Sequence, residues 1–206
     1  MTNERFALQA KAIGKRFYNR WLFKDISFQL CAGERMALVG TNGSGKSTLL
    51  RIVAGQLAPT IGGMTYSAAG NNIPSDRFYR HLSWTGPQVE PYTELTLREH
   101  IDLHFRFKQC LLPQPESLIQ ILNLSAHADK PLQVYSSGML QRMKVGLALF
   151  TASDVLLLDE PTSNMDEENA AFMLDLIAQH IGQRVYVLAT NLRREYEQFD
   201  RVLTLG

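Results

Sequence analysis

Arg35-Met-Ala-Leu-Val39 runs directly into Gly40-Thr-Asn-Gly-Ser-Gly-Lys-Ser47 and then Thr48-Leu-Leu50. The order reads as a short buried strand, a glycine-rich turn and the start of a helix. Gly40, Thr41, Asn42, Gly43, Ser44, Gly45, Lys46 and Ser47 fit the pattern G-x-x-x-x-G-K-[ST] at every fixed position, with Thr48 next in the helix. Gly43 and Gly45 let backbone N–H groups turn inward with no Cβ in the way. Those amides, together with the positive end of the helix dipole, hold phosphate anions. Lys46 places a point charge on the β- and γ-phosphates, and the Ser47 hydroxyl suits Mg²⁺. A glycine turn beside a chance Lys-Ser would leave the preceding strand and following helix unexplained. The motif points to a nucleoside triphosphate without choosing among kinases, GTPases and motor ATPases.

Outward from this loop, Lys46 to Ala54 is expected as helix, with Leu49, Leu50 and Val53 on one side and Gly55 as its stop. Ile26, Phe28 and Leu30 alternate as a strand does, while Thr60 to Asp76 suggests turns and edge strands. A helix is expected from Thr96 to about Cys110, opened by a Thr96/Glu99 capping box and ended by Pro113 and Pro115. Glu116 to Leu124 reads as a second helical piece, and Ser136 or Ser137 as the N-cap of a helix reaching about Phe150. Val155 to Leu158 reads as a central parallel strand, Ala170 to Ile181 as a helix and Val185 to Ala189 as another buried strand. This order predicts a parallel-sheet α/β core with a helical insertion near residues 90 to 135.

With 206 residues, 45% hydrophobic and 20% charged, the chain suits one globular domain and not a disordered one. Lys and Arg number 21 against 20 Asp and Glu, so no basic field for nucleic acid is present. Cys31 and Cys110 are far apart and are expected as free buried thiols, with one disulfide as the alternative. The start Met-Thr-Asn-Glu-Arg lacks the apolar stretch of a signal peptide. The longest apolar run, Val145 to Phe150, falls far short of the roughly 20 residues a membrane span needs.

Asp159 and Glu160 close the apolar strand Leu156-Leu-Leu, at the end where ligands sit in open α/β sheets. Asp159 suits Mg²⁺ coordination, and Glu160 can polarise an attacking water as general base. Without a phosphate loop, the pair would read equally well as the start of an exposed loop.

Tyr135-Ser-Ser-Gly-Met-Leu-Gln-Arg142 resembles the signature motif of ATP-binding cassette (ABC) proteins, Leu-Ser-Gly-Gly-Gln followed by a basic residue. Pro161-Thr162 and Ser163-Asn-Met-Asp166 resemble that family's D-loop, with Asp166 at its end. Gln88 resembles the Q-loop glutamine. Phe17 resembles the aromatic residue that stacks on adenine, with Tyr18 as fallback and a core aromatic of the first strand as the alternative. The resemblance runs from Phe17 to Gly206. It implies a P-loop NTPase core with a mostly parallel sheet, an N-terminal antiparallel β part and a helical subdomain at approximately 90–150. All of this would lie in one ATP-binding domain over 1–206.

It further implies ATP and Mg²⁺ as ligands, the metal being held by Ser47, Gln88 and Asp159. Glu160, Lys46, Gln88 and Asn191 would carry hydrolysis. Ser136, Ser137, Gly138 and Met139 would close on ATP bound by a second ABC subunit, taken as an identical copy. The implied activity is an ATPase driving a separate integral membrane transporter subunit from the cytoplasmic face. In size the chain is similar to small exporter subunits such as the heme-exporter ATPases. An ATP-dependent switch with very weak hydrolysis, a non-transport ABC ATPase and a P-loop kinase remain as alternatives.

Departures from the pattern are Tyr135 for Leu, Ser137 for Gly, Met139 for Gln, and Asn191 where a histidine follows Thr190 in the family. Asn191 can donate an N–H to a phosphate oxygen but cannot become cationic, so slow hydrolysis is expected. His100 and His104, spaced i, i+4, are expected as solvated or partner-facing residues and not as metal ligands. His104-Phe-Arg-Phe107 is read either as docking surface or as core packing, and Arg193 and Arg194 as a solvated face.

Overall fold

A computed structural model describes residues 6–206; the polar start, residues 1–5, lies outside them. The chain divides into two compact units. Among the described residues, one comprises 6–84, Ser153–Asp159 and Gly182–Gly206, the other Thr85–Ala152 and Glu160–Ile181.

In the first unit, β1 (Ala7–Phe17), β2 (Arg20–Cys31), β4 (Ile61–Ala68) and β5 (Asn71–Ile73) form an antiparallel sheet in the order β2-β1-β4-β5. Along β1 the buried set passes from Leu8 and Ala10 to Ile13, a change of parity. A bulge at Ala12, φ +48, produces it. The Ala12 N–H lost to the ladder donates instead to Ser27 Oγ at 2.9 Å.

The second sheet has the order β6-β7-β8-β3-β9: β6 (Leu82–Thr85), β7 (Val155–Asp159), β8 (Val185–Thr190), β3 (Arg35–Val39) and β9 (Val202–Thr204). Strand β3 pairs in parallel with β8 and β9, and β7 in parallel with β8. Every residue of β7 and β8 is buried, as expected of strands covered on both faces. Helix α1 (Lys46–Val53) buries Leu49, Leu50, Ile52 and Val53 in a core shared with Leu38, Leu157 and Val187. Gly55, φ +71, follows the helix end.

The second unit carries α2 (Leu97–Phe107), α3 (Ser117–Ile121), α4 (Ser137–Leu149) and α5 (Glu167–His180). Thr96 and Glu99 form the expected capping box. Helix α2 stops before its prolines: Lys108 turns to extended backbone (φ −127°, ψ 144°) while its N–H still reaches His104 O. Helix α3 covers only part of the expected Glu116 to Leu124. Helix α5 starts earlier than Ala170 because Asp166 caps it. Ser136, not Ser137, caps α4. Cys31 and Cys110 are free thiols, half-buried rather than buried.

The expectation for the two α2 histidines is corrected. Both ring nitrogens of His100 are buried, with no hydrogen-bond partner among the described residues. His104 Nε2 lies 2.8 Å from Thr151 Oγ1, which donates to Leu147 O at 2.7 Å. The Thr151 hydroxyl proton is thus committed, so His104 donates its Nε2 proton. Helices α2 and α4 pack together, and Phe107 is exposed at the end of α2. Burial, with lesser contributions from His100 and Lys108, pushes the His104 pKa down to about 4.

Unfolding frees that imidazole to bind a proton at about its ordinary pKa, so His104 lowers stability as pH falls from about 6.5 to about 4 and has no effect above that window. Its contribution reaches at most about 3 kcal/mol. Denaturant melts of the native chain and His104→Gln across that range should therefore converge at acid pH. Parallel curves would contradict the neutral, buried imidazole.

Candidate functional site

The phosphate loop and Asp159 belong to the first unit. Strand β3 ends at Val39, and the chain turns through Gly40 to Gly45 before α1 begins at Lys46. The N-cap is Gly45 itself, φ +104, and no side chain accepts from the first amides. A Cβ there would come within 2.8 Å of Leu22 Cγ, so both the conformation and the contact require glycine. The helix therefore presents uncapped N–H groups, an arrangement suited to an anion. Lys46 Nζ donates to Gly40 O at 2.8 Å and to Thr41 O at 3.1 Å. Ser44 Oγ is buried without a hydrogen-bond partner among the described residues, a polar atom left available within the loop.

Thr41 to Ser44 form one wall of a cleft of about 940 Å³; the other wall is Phe17 to Leu22, from the β1–β2 turn. Phe17 is 47% exposed at the end of β1, and Tyr18, φ +52, is almost wholly exposed. Lys15 Nζ lies 5.2 Å from the Phe17 ring centroid, and Lys24 Nζ 4.3 Å from that of Trp21. Electron-rich ring faces and cations beside a phosphate-binding turn suit a purine and its phosphates together.

Asp159 is buried at the carboxyl end of β7, and Ser47 and Thr48 lie in the first turn of α1. Hydroxyl and carboxylate oxygens are hard donors that fit Mg²⁺. Asn191, just past β8, is exposed and donates through Nδ2 to Asn42 Oδ1 at 3.2 Å. This contact between the two loops was not legible in the sequence, since strand order alone brings positions 42 and 191 together. Arg193 and Arg194 are exposed, Arg193 with Glu197 3.6 Å away.

The second unit holds Gln88, the signature segment, Glu160 and Asp166. Gln88 is exposed in the loop after β6, and Lys144 Nζ on α4 donates to the nearby Gly86 O at 3.3 Å. Ser136 Oγ accepts from the Met139 N–H at 3.2 Å, while Ser136 and Ser137 stay exposed at the tip of α4. Gly138 and Met139 are half-buried in its first turn. Tyr135 is buried, and its hydroxyl donates to His127 O at 2.7 Å, so the larger residue in place of leucine finds a polar partner. The Asp166 carboxylate accepts from the Asn169 N–H at 2.8 Å, and that bond holds its pKa below the usual carboxylate range.

Glu160 has φ +50, a left-handed backbone uncommon for a residue with a side chain. Buried Gln141 donates through Nε2 to Glu160 O. Sequence reading passed over Gln141, although it lies inside the quoted signature stretch.

The ABC transporter family profile matches residues 23–163. The chain is 33% identical to the cytochrome c biogenesis ATP-binding export protein CcmA of Agrobacterium fabrum, covering 88% of this chain and 87% of that one. It is 26% identical to mouse ATP-binding cassette sub-family A member 17, of whose length it spans only 12%. The fold matches a putative ABC transporter ATP-binding protein from Pyrococcus furiosus with a TM-score of 0.81 at 17% identity, covering 97% of each chain. An Atm1-family bacterial ABC exporter with ATP bound also gives 0.81, at 19% identity, over all of this chain and 38% of the exporter. With its phosphate loop at the head of α1 and its acidic pair at the end of β7, the chain belongs to the ABC transporter family as an ATP-binding domain.

Proposed function

We propose that this chain is the ATP-hydrolysing subunit of a CcmA-like ABC exporter. It dimerises head to tail on ATP and drives a separate integral membrane subunit from the cytoplasmic face. The observation that carries the proposal is the uncapped amino end of α1, with Lys46 in its first turn and the Phe17 cleft beside its loop. Gly40 to Thr48 hold the phosphates and Phe17 stacks on the base. Ser136 to Met139 of the second copy close on the γ-phosphate, and Asp166 steadies that junction.

Ser47, Gln88 and Asp159 would hold Mg²⁺, which when bound neutralises charge on the β- and γ-phosphates. The Glu160 carboxylate takes a proton from water as the water oxygen bonds to the γ-phosphorus. The bond to the β–γ bridging oxygen breaks, releasing ADP and phosphate. Loss of the γ-phosphate removes the contacts that favour the closed dimer, which then opens. Among the described residues no helix is long and apolar enough to cross a membrane.

Glu160→Gln should keep ATP affinity while kcat falls by about 100-fold or more, since the carboxamide accepts no proton. Phosphate release measured beside nucleotide binding checks this, and an undiminished rate would remove Glu160 from catalysis.

Asn191 supports a second reading, a switch that hydrolyses very weakly. A neutral donor in place of a cationic one forgoes about 1–2 kcal/mol, or about tenfold in rate. Asn191→His should therefore raise kcat about tenfold, with a rate that falls as the imidazole loses its proton above about pH 7. Equal rates in both chains would show that position 191 plays no part.

A further inference from the structure

Gln141 lies on α4 one turn beyond the Ser136 cap, with its carboxamide buried at 3% exposure. Its Nε2 donates to Glu160 O at 3.0 Å and to Pro161 O at 3.3 Å. These carbonyls belong to the general base proposed above and to the residue after it. Glu160 O also accepts from the Ser163 N–H at 3.1 Å. Glu160 itself sits at φ +50, and a left-handed backbone on such a residue persists only where its surroundings hold it.

The contact extends along the helix face. A Cβ on Gly138 would lie 2.9 Å from Asn164 O, so α4 meets the segment after Glu160 backbone to backbone. Nothing assigned to the signature segment uses Gln141. Ser136 and Ser137 are exposed, whereas Gln141 is turned into its own unit.

We propose that Gln141 is a positioning residue for hydrolysis, its carboxamide holding the Glu160 peptide in the conformation that aims the carboxylate at water. The helix that presents the signature to a partner's nucleotide thereby also sets the base of its own chain. The proposal rests on Glu160 acting as that base. A glutamine that merely filled space would be replaced without loss by a side chain of equal length and shape. One that acts through its N–H donors would not.

The test compares Gln141→Met, which keeps length but has no donor, with Gln141→Lys, which keeps an N–H donor. For Gln141→Met, kcat should fall about tenfold or more with KM for ATP within about twofold of native and an unchanged melting curve; Gln141→Lys should recover most of that loss. Where Gln141→Met does not fold, Gln141→Glu against Gln141→Lys makes the same comparison, acceptor against donor. Native kcat in Gln141→Met, or equal losses in the donor and donor-free variants, overturns the proposal. Glu160→Gln assayed alongside separates the two readings. If it is slow while Gln141→Met is fast, only the Gln141 role falls; if it is as fast as native, the base assignment falls and takes the Gln141 role with it.

Discussion

The first amides of an α-helix have no partner within the helix, and at α1 no side chain supplies one. Gly45 begins the helix in a left-handed conformation that brings its backbone against Leu22, leaving no space for a Cβ. The uncapped positive end of the helix dipole is a standing demand for an anion. Lys46, donating to the carbonyls of Gly40 and Thr41, sits at that same end. Much of the first unit serves to hold this helix end in place. Strand β3, paired in parallel on both sides by β8 and β9, delivers the loop, and Leu49, Leu50 and Val53 anchor α1 in the core with Leu157 and Val187.

The parts of the fold that were legible in the sequence were those where local pattern and burial agree. β3, β7 and β8 are continuous apolar runs, and each is a buried strand. The Thr96/Glu99 capping box marks its helix start because a capping box is a local interaction. Strands β6 and β9 escaped because Leu82-Ser-Trp-Thr85 and Val202-Leu-Thr204 are short and mixed, made strands only by long-range pairing. The bulge at Ala12 breaks the alternation of β1, so its period could not be read. The α2 histidines look solvated on composition, yet both nitrogens of His100 are buried and His104 is bonded to Thr151, 47 positions away.

The candidate site divides the same way. Glycine spacing and the acidic pair are sequence-local and can be read directly. The Asn42–Asn191 contact joins loops 149 positions apart and is set by the strand order β8-β3. The bond from Gln141 to Glu160 depends on how α4 lies on the chain leaving β7. The departures at Tyr135 and Asn191 also differ in kind: the Tyr135 hydroxyl has found His127 O, whereas Asn191 makes a neutral bond to Asn42.

Sedimentation velocity of the Glu160→Gln chain, with and without ATP and magnesium, bears most directly on the nucleotide acting as bridge between two copies. The chain is expected to be a monomer that becomes a dimer on adding ATP and reverts when the nucleotide is removed. A chain that binds ATP yet sediments as a monomer at high protein concentration would contradict it.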